Sequence, residues 1–207
     1  MTPGALRPAD AAEVADGDED LDDVDIVDIK CERMTWTGRR RLSSSKMSDL
    51  ATGQRRAAAA CVVDSVLQRV DVVALSAVGS GWWNVEVGQS RLGSVELYDS
   101  TLRNVHVVRC KLGYLNLRGA TLTDVAFTDC VIEDLDLMRA TATRVSFSGT
   151  RISRLELAGS KLEHVDLRGA RLAGIGTLEG LRGATTTLGQ QLDIAPALAE
   201  GFGIKVE

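Results

Sequence analysis

Large rings, proline, histidine and long apolar runs are all scarce in this chain. Only eight of the 207 residues are aromatic (three Trp, two Tyr, three Phe), so any core must be filled by aliphatic and small side chains. The three prolines are Pro3, Pro8 and Pro196, which leaves the long middle able to donate every backbone N–H to a ladder. No apolar stretch approaches the ~18 residues of a membrane span. The acidic first twenty residues lack the apolar segment of a secretory signal, so a cytoplasmic location and no membrane partner are expected. Four cysteines do not make a disulfide framework, in keeping with a reducing compartment. His106 and His164, the two histidines, are too far apart to share a site. None of CxxC, HxxxH or HExxH occurs, so no catalytic residue, metal site or cofactor is expected.

What remains is 44% apolar and 26% charged, with a net charge of −5, a globular composition. Its organisation is a repeat. From Val62 to Leu172 an apolar residue recurs at every fifth position, 23 times in succession. A second apolar or small residue precedes each by two places, as Val165 precedes Leu167. A period of five belongs neither to a helix nor to a plain strand. The chain must therefore turn every five residues, with two positions of each five facing inward.

The number of sides follows from which residues would stack. At a spacing of twenty, Leu75, Val95, Leu115, Leu135 and Leu155 form a column of large side chains. Val85, Val105, Val125 and Val145 form a second, Ser80, Ser100, Ala120 and Ala140 a small one, and Phe127 falls on Phe147. A spacing of fifteen would place Leu75 against Ser90 and mix all the columns. Four sides per coil are expected, because stacked positions must match in volume to pack without voids. Outward charges obey the same spacing, as in Asp71 with Arg91, Glu86 with His106, Arg109 with Asp129, Asp124 with Arg144, and Asp134 with Arg154.

The stretches ATLTDVAF (120–127), LNLRGATL (115–122) and VDLRGARL (165–172) resemble the pentapeptide-repeat proteins. That resemblance covers at least residues 60–172 and implies a right-handed quadrilateral β-helix, an all-β parallel solenoid. Six to seven coils would make it about 30 Å long. It also implies a non-enzymatic scaffold that presents a rigid surface to a protein partner. Some relatives instead mimic duplex DNA, bind type II topoisomerases such as DNA gyrase and protect them from quinolones. Others form homodimers through a C-terminal element.

Four segments are expected. Residues 1–22 read as a disordered acidic tail. Residues 23–59 keep the five-residue step in weaker form, with an insertion near Arg39, Arg40 and Arg41 where the phase slips by one. Residues 60–175 are the regular coil. Residues 176–207 read as one irregular coil and a helical cap of one or two short helices, with Thr186 or Thr187 as N-cap, Pro196 at a helix start and Gly203 near a stop. A solenoid end needs an apolar lid, and Leu188, Leu192, Leu198 and Phe202 are the candidates for it or for a dimer contact.

Three further groups bear on partners. Trp82 and Trp83 are adjacent and so point to opposite sides, which makes Trp83 the candidate partner contact. Cys110 and Cys130 share one inward column, where a disulfide, a metal half-site or plain core packing are all conceivable. Asp124, Asp129, Glu133, Asp134 and Asp136 form the acidic patch that DNA mimicry would use. Residues 60–172 contain thirteen Lys/Arg and thirteen Asp/Glu, however, and arginines lie one coil from Asp124, Asp129 and Asp134. Nucleic-acid binding through Arg39, Arg40, Arg41, Arg55 and Arg56 is disfavoured by the acidic residues before them.

Overall fold

The computed structural model describes residues 7–8, 20–27, 30–36, 41–49, 51–57, 61–201 and 203. They form a parallel β-solenoid of about seven turns followed by a single helix. Two parallel sheets run along it, of thirteen and eight strands. Each regular turn gives one strand to each, such as Gly81–Gly88 and Arg91–Glu96.

The pairing register carries the twenty-residue spacing directly. Val85 pairs with Val105, Val105 with Val125 and Val125 with Val145. Leu75, Val95, Leu115, Leu135 and Leu155 are likewise successive partners. Each inward column is thus a vertical stack, and in these two columns the stacked side chains are alike in size. Phe127 and Phe147 stack face to face, with ring centroids 5.0 Å apart and planes 3° from parallel.

The corners explain the residues between the columns. In the coil of residues 81–100, Asn84, Gln89 and Asp99 have φ of +55°, +52° and +56°, and the next coil repeats this at Asn104, Arg109 and Gly119. Left-handed residues thus mark three of the four corners of each of these coils, and Asn, Asp and Gly tolerate that conformation best. At the corner that carries Gly119 the side chain helps: Asn116 Oδ1 accepts the Arg118 N–H at 3.1 Å, and one coil on Asp136 Oδ1 accepts that of Met138 at 3.0 Å.

The N-terminal turn is one residue longer. Lys30 to Trp36 pair with Ala51 to Ala57 at an offset of 21, whereas Arg41 to Ser43 pair with Cys61 to Val63 at 20. The extra residue therefore lies between Trp36 and Arg41, where the sequence phase slips. The segment expected as a disordered tail contains two short strands, because Arg7–Pro8 pair with Val24–Asp25 and Leu21–Asp22 with Leu42–Ser43. Residues 1–6 and 9–19 of that segment, with Arg39 and Arg40, lie outside the described residues.

The C-terminal end differs from expectation in two respects. One helix, Leu188–Gly201, includes Pro196 in its interior rather than starting there. Its N-terminus is a capping box: Thr187 Oγ1 accepts the Gln190 N–H at 3.2 Å, and Gln190 Oε1 accepts the Thr187 N–H at 2.8 Å. Beyond the helix, Gly203 has a φ of +70°, as a stop requires.

The lid is also built otherwise. Leu188 and Leu192 are 77% and 67% exposed and do not cover the core. Leu181, just C-terminal to the buried Gly180 of a short 3-10 turn, and Ala184 pack on the core instead. The Gln190 side-chain amide donates to the carbonyls of Leu167 and Ala170 at 2.6 and 2.7 Å. At 100° per residue Leu188 and Leu192 share one helix face and Gln190 lies nearly opposite, so docking through Gln190 turns both leucines outward. The side chain of Leu198 and the whole of Phe202 lie outside the described residues.

Candidate interaction surface

Outward side chains on this scaffold inherit the order of the ladders beneath them. Trp82 points in, is 7% exposed and donates its indole N–H to Ser80 Oγ at 2.8 Å. Trp83 points out. Its backbone partners are Val63 and Arg103, and its indole folds across Gly81, where any added methyl would overlap the ring. The expected exposed aromatic is thus half-buried and held flat. Two exposed apolar side chains escaped the sequence reading, Val73 at 66% and Tyr98 at 38%. Their signal was an apolar residue at an outward position of the repeat.

The five carboxylates of the acidic patch do not act together. Arg144 holds Asp124 through two bonds of 2.6 and 2.8 Å. That hydrogen bond keeps the Asp124 carboxyl below its ordinary range, with the charge of Arg144 adding to it against desolvation. Arg154 pairs with Asp134 at 2.7 Å. Asp136 is 6% exposed, paired with Arg118 at 2.6 Å and in reach of the Tyr114 hydroxyl at 3.4 Å. Burial and the nearby Asp136 charge push the Tyr114 pKa up. Only Asp129 and Glu133 carry no ion pair among the described residues. Arg109 pairs with no carboxylate there either, and Asp71 with Arg91 and Glu86 with His106 are in register without an ion pair, so among the described residues only Asp124–Arg144 and Asp134–Arg154 of the five anticipated pairs form.

On another edge, amides replace charges. Asn84 Nδ2 donates to Asp64 at 2.7 Å, and Asn104 Nδ2 to Asn84 Oδ1 at 2.9 Å. Three side chains one coil apart thereby form a hydrogen-bonded chain along the tube axis.

The cysteine pair is core. Cys110 and Cys130 are free thiols, 3% and 1% exposed. Each does what a hydroxyl does at the same place in neighbouring coils. Ser90 Oγ donates to the Gly88 carbonyl at 2.8 Å, Cys130 Sγ faces the carbonyls of Thr128 and Val107 at 3.3 and 3.4 Å, and Thr150 Oγ1 donates to the Phe127 carbonyl at 3.1 Å. Donation to the Cys110 sulfur and burial hold Cys130 protonated. No group of three or more His, Cys, Asp or Glu able to hold a metal occurs among the described residues. No helix among them is long and apolar enough to cross a membrane.

The model of the family described as pentapeptide repeats matches residues 136–174, with eight copies. The chain carries pentapeptide repeats. None of the curated proteins matches it. Among solved structures, full-length QnrB1, described as a plasmid-mediated fluoroquinolone resistance protein, is 12% identical. The match covers 86% of this chain and 98% of that one, with a TM-score of 0.44. HetL, a pentapeptide-repeat protein involved in heterocyst differentiation regulation in the cyanobacterium Nostoc sp. strain PCC 7120, is 16% identical. That match covers 76% of this chain and 85% of the other, with a TM-score of 0.24.

Proposed function

We propose that this pentapeptide-repeat chain is a non-enzymatic scaffold that offers a rigid surface to a protein partner. The observation that carries this reading is Trp83, an outward indole locked flat over Gly81 between the strands of Val63 and Arg103. A large ring already fixed in place loses little freedom on association, which favours it as an anchor. Affinity capture from native lysate with the full chain and with Trp83→Ala tests it. One protein retained by the native chain and depleted at least ~tenfold by the substitution supports the reading. Equal recovery removes Trp83 as the contact, and no recovery above background favours an inert spacer.

The topoisomerase reading has less support. Duplex mimicry asks for a continuous negative surface, and Asp124, Asp134 and Asp136 are each occupied by an arginine. In a supercoiling assay with purified DNA gyrase, micromolar protein is expected neither to inhibit the enzyme nor to protect it from a quinolone. Leu188 and Leu192, exposed side by side on the C-terminal helix, favour a homodimer through that element. Sedimentation of the native chain against a Leu188→Glu, Leu192→Glu double variant tests it: a dimer that becomes a monomer is expected.

A further inference from the structure

The solenoid is not filled evenly. Inside the turns between Leu42 and Phe127 lies a cavity of about 90 Å³, and the side chains that line it among the described residues are all apolar. It follows the axis over four coil steps, about 19 Å at the spacing of adjacent strands. Its origin is visible in one column. Phe147 and Phe127 stack there, but their successors toward the N-terminus are Val107 and Val87, each four carbons smaller. Trp82 and Leu102 in the adjoining column do not make up the lost volume along the whole length, so the interior stays open.

Water is a poor occupant. A buried water needs two to four polar partners, and the inward hydroxyls of these coils are already spent. Ser65 and Ser90 donate to the carbonyls of Val63 and Gly88 at 2.6 and 2.8 Å, and Ser80 takes the Trp82 N–H. Dry apolar cavities of this order hold small hydrocarbons. Of the described lining residues only Leu67 and Leu75 are half-buried, the others being buried, so among them the wall is thinnest in the coil of residues 61–80.

We propose that this axial cavity is a binding site for an alkyl chain, taken lengthwise, with any polar end left in solvent beside Leu67 and Leu75. The narrow, long shape selects a linear chain over a compact ring, and the unbroken apolar lining excludes a charged ligand from the interior. The proposal is independent of the scaffold reading.

The test uses the full chain with 1-octanol and benzene as probes, followed by calorimetry and thermal unfolding. One-to-one, saturable binding of 1-octanol is expected. At a hundred times its dissociation constant it should shift the unfolding equilibrium about a hundredfold toward the folded chain. Val107→Phe extends the ring stack into the cavity and should weaken that binding at least tenfold while raising the unfolding midpoint without ligand. Val87→Phe serves the same purpose if the first variant does not fold. Absence of saturable binding to the native chain overturns the proposal. So do equal shifts in native and filled chains, or binding of benzene without 1-octanol.

Discussion

The turns around Val87 and those around Phe147 share one register and one coil length, yet their interiors differ. Near Phe147 two rings stack 5.0 Å apart, with Ile132, Leu135, Leu155 and Ile152 all essentially inaccessible. Near Val87 the same columns enclose a cavity. Their surfaces are tied alike by arginine–carboxylate pairs, Arg69 with Asp49 in the earlier turns and Arg144 with Asp124 in the later ones, and the amides of Asn84 and Asn104 add a chain along the earlier turns. Periodicity therefore dictates where side chains go, and the volume at each column position decides how well they fill the space.

The harshest test of this contrast removes the closed end of the dense region. Cutting the chain after Ala173 deletes Leu181 and Ala184, which pack on the core, and exposes Leu157 and Leu167. Aggregation in light scattering is expected, whereas a cut after Thr187 should leave a folded coil. Next, Phe147→Ala should cost about 3–5 kcal/mol in denaturant unfolding. Val87→Ala, beside the existing cavity, should cost only about 1–2 kcal/mol by methyl-group arithmetic. Equal costs would erase the distinction.

Asp136→Ala leaves the Met138 N–H without its acceptor and should cost about 1–3 kcal/mol by the same measurement. The smallest effect concerns Asp124. Its folded-state pKa is lowered from 3.8, so the stability it contributes is present above that value and is lost as pH falls through the lower folded value. The slight difference between the native chain and Asp124→Asn should therefore vanish in strong acid, a result read from unfolding midpoints across pH.

The columns were legible in the sequence because stacking at twenty constrains volume at every inward position, so Leu115 and Leu135 had to match. The one-residue slip before Arg41 was legible for the same reason. The lid was not. Leu181 and Ala184 cover the end and Gln190 docks the helix through two carbonyl hydrogen bonds; neither leaves a periodic trace, while Leu188 and Leu192 look like lid residues by composition alone. The arginine partners of Asp124 and Asp134 were legible from the same spacing of twenty, whereas the inward turn of Asp136 was not. Asp136 belongs to a corner that turns its carboxylate inward to the Met138 N–H, and Asp124 and Asp134 point at arginines on the next coil.

The offset between partners shortens at the far end: Val165 pairs with Ala184 and Asp166 with Thr185, nineteen positions on rather than twenty. A parallel ladder is an open template, and another copy could in principle extend it strand by strand into a fibre. Breaking the count in the final rung leaves that template out of step with a regular newcomer.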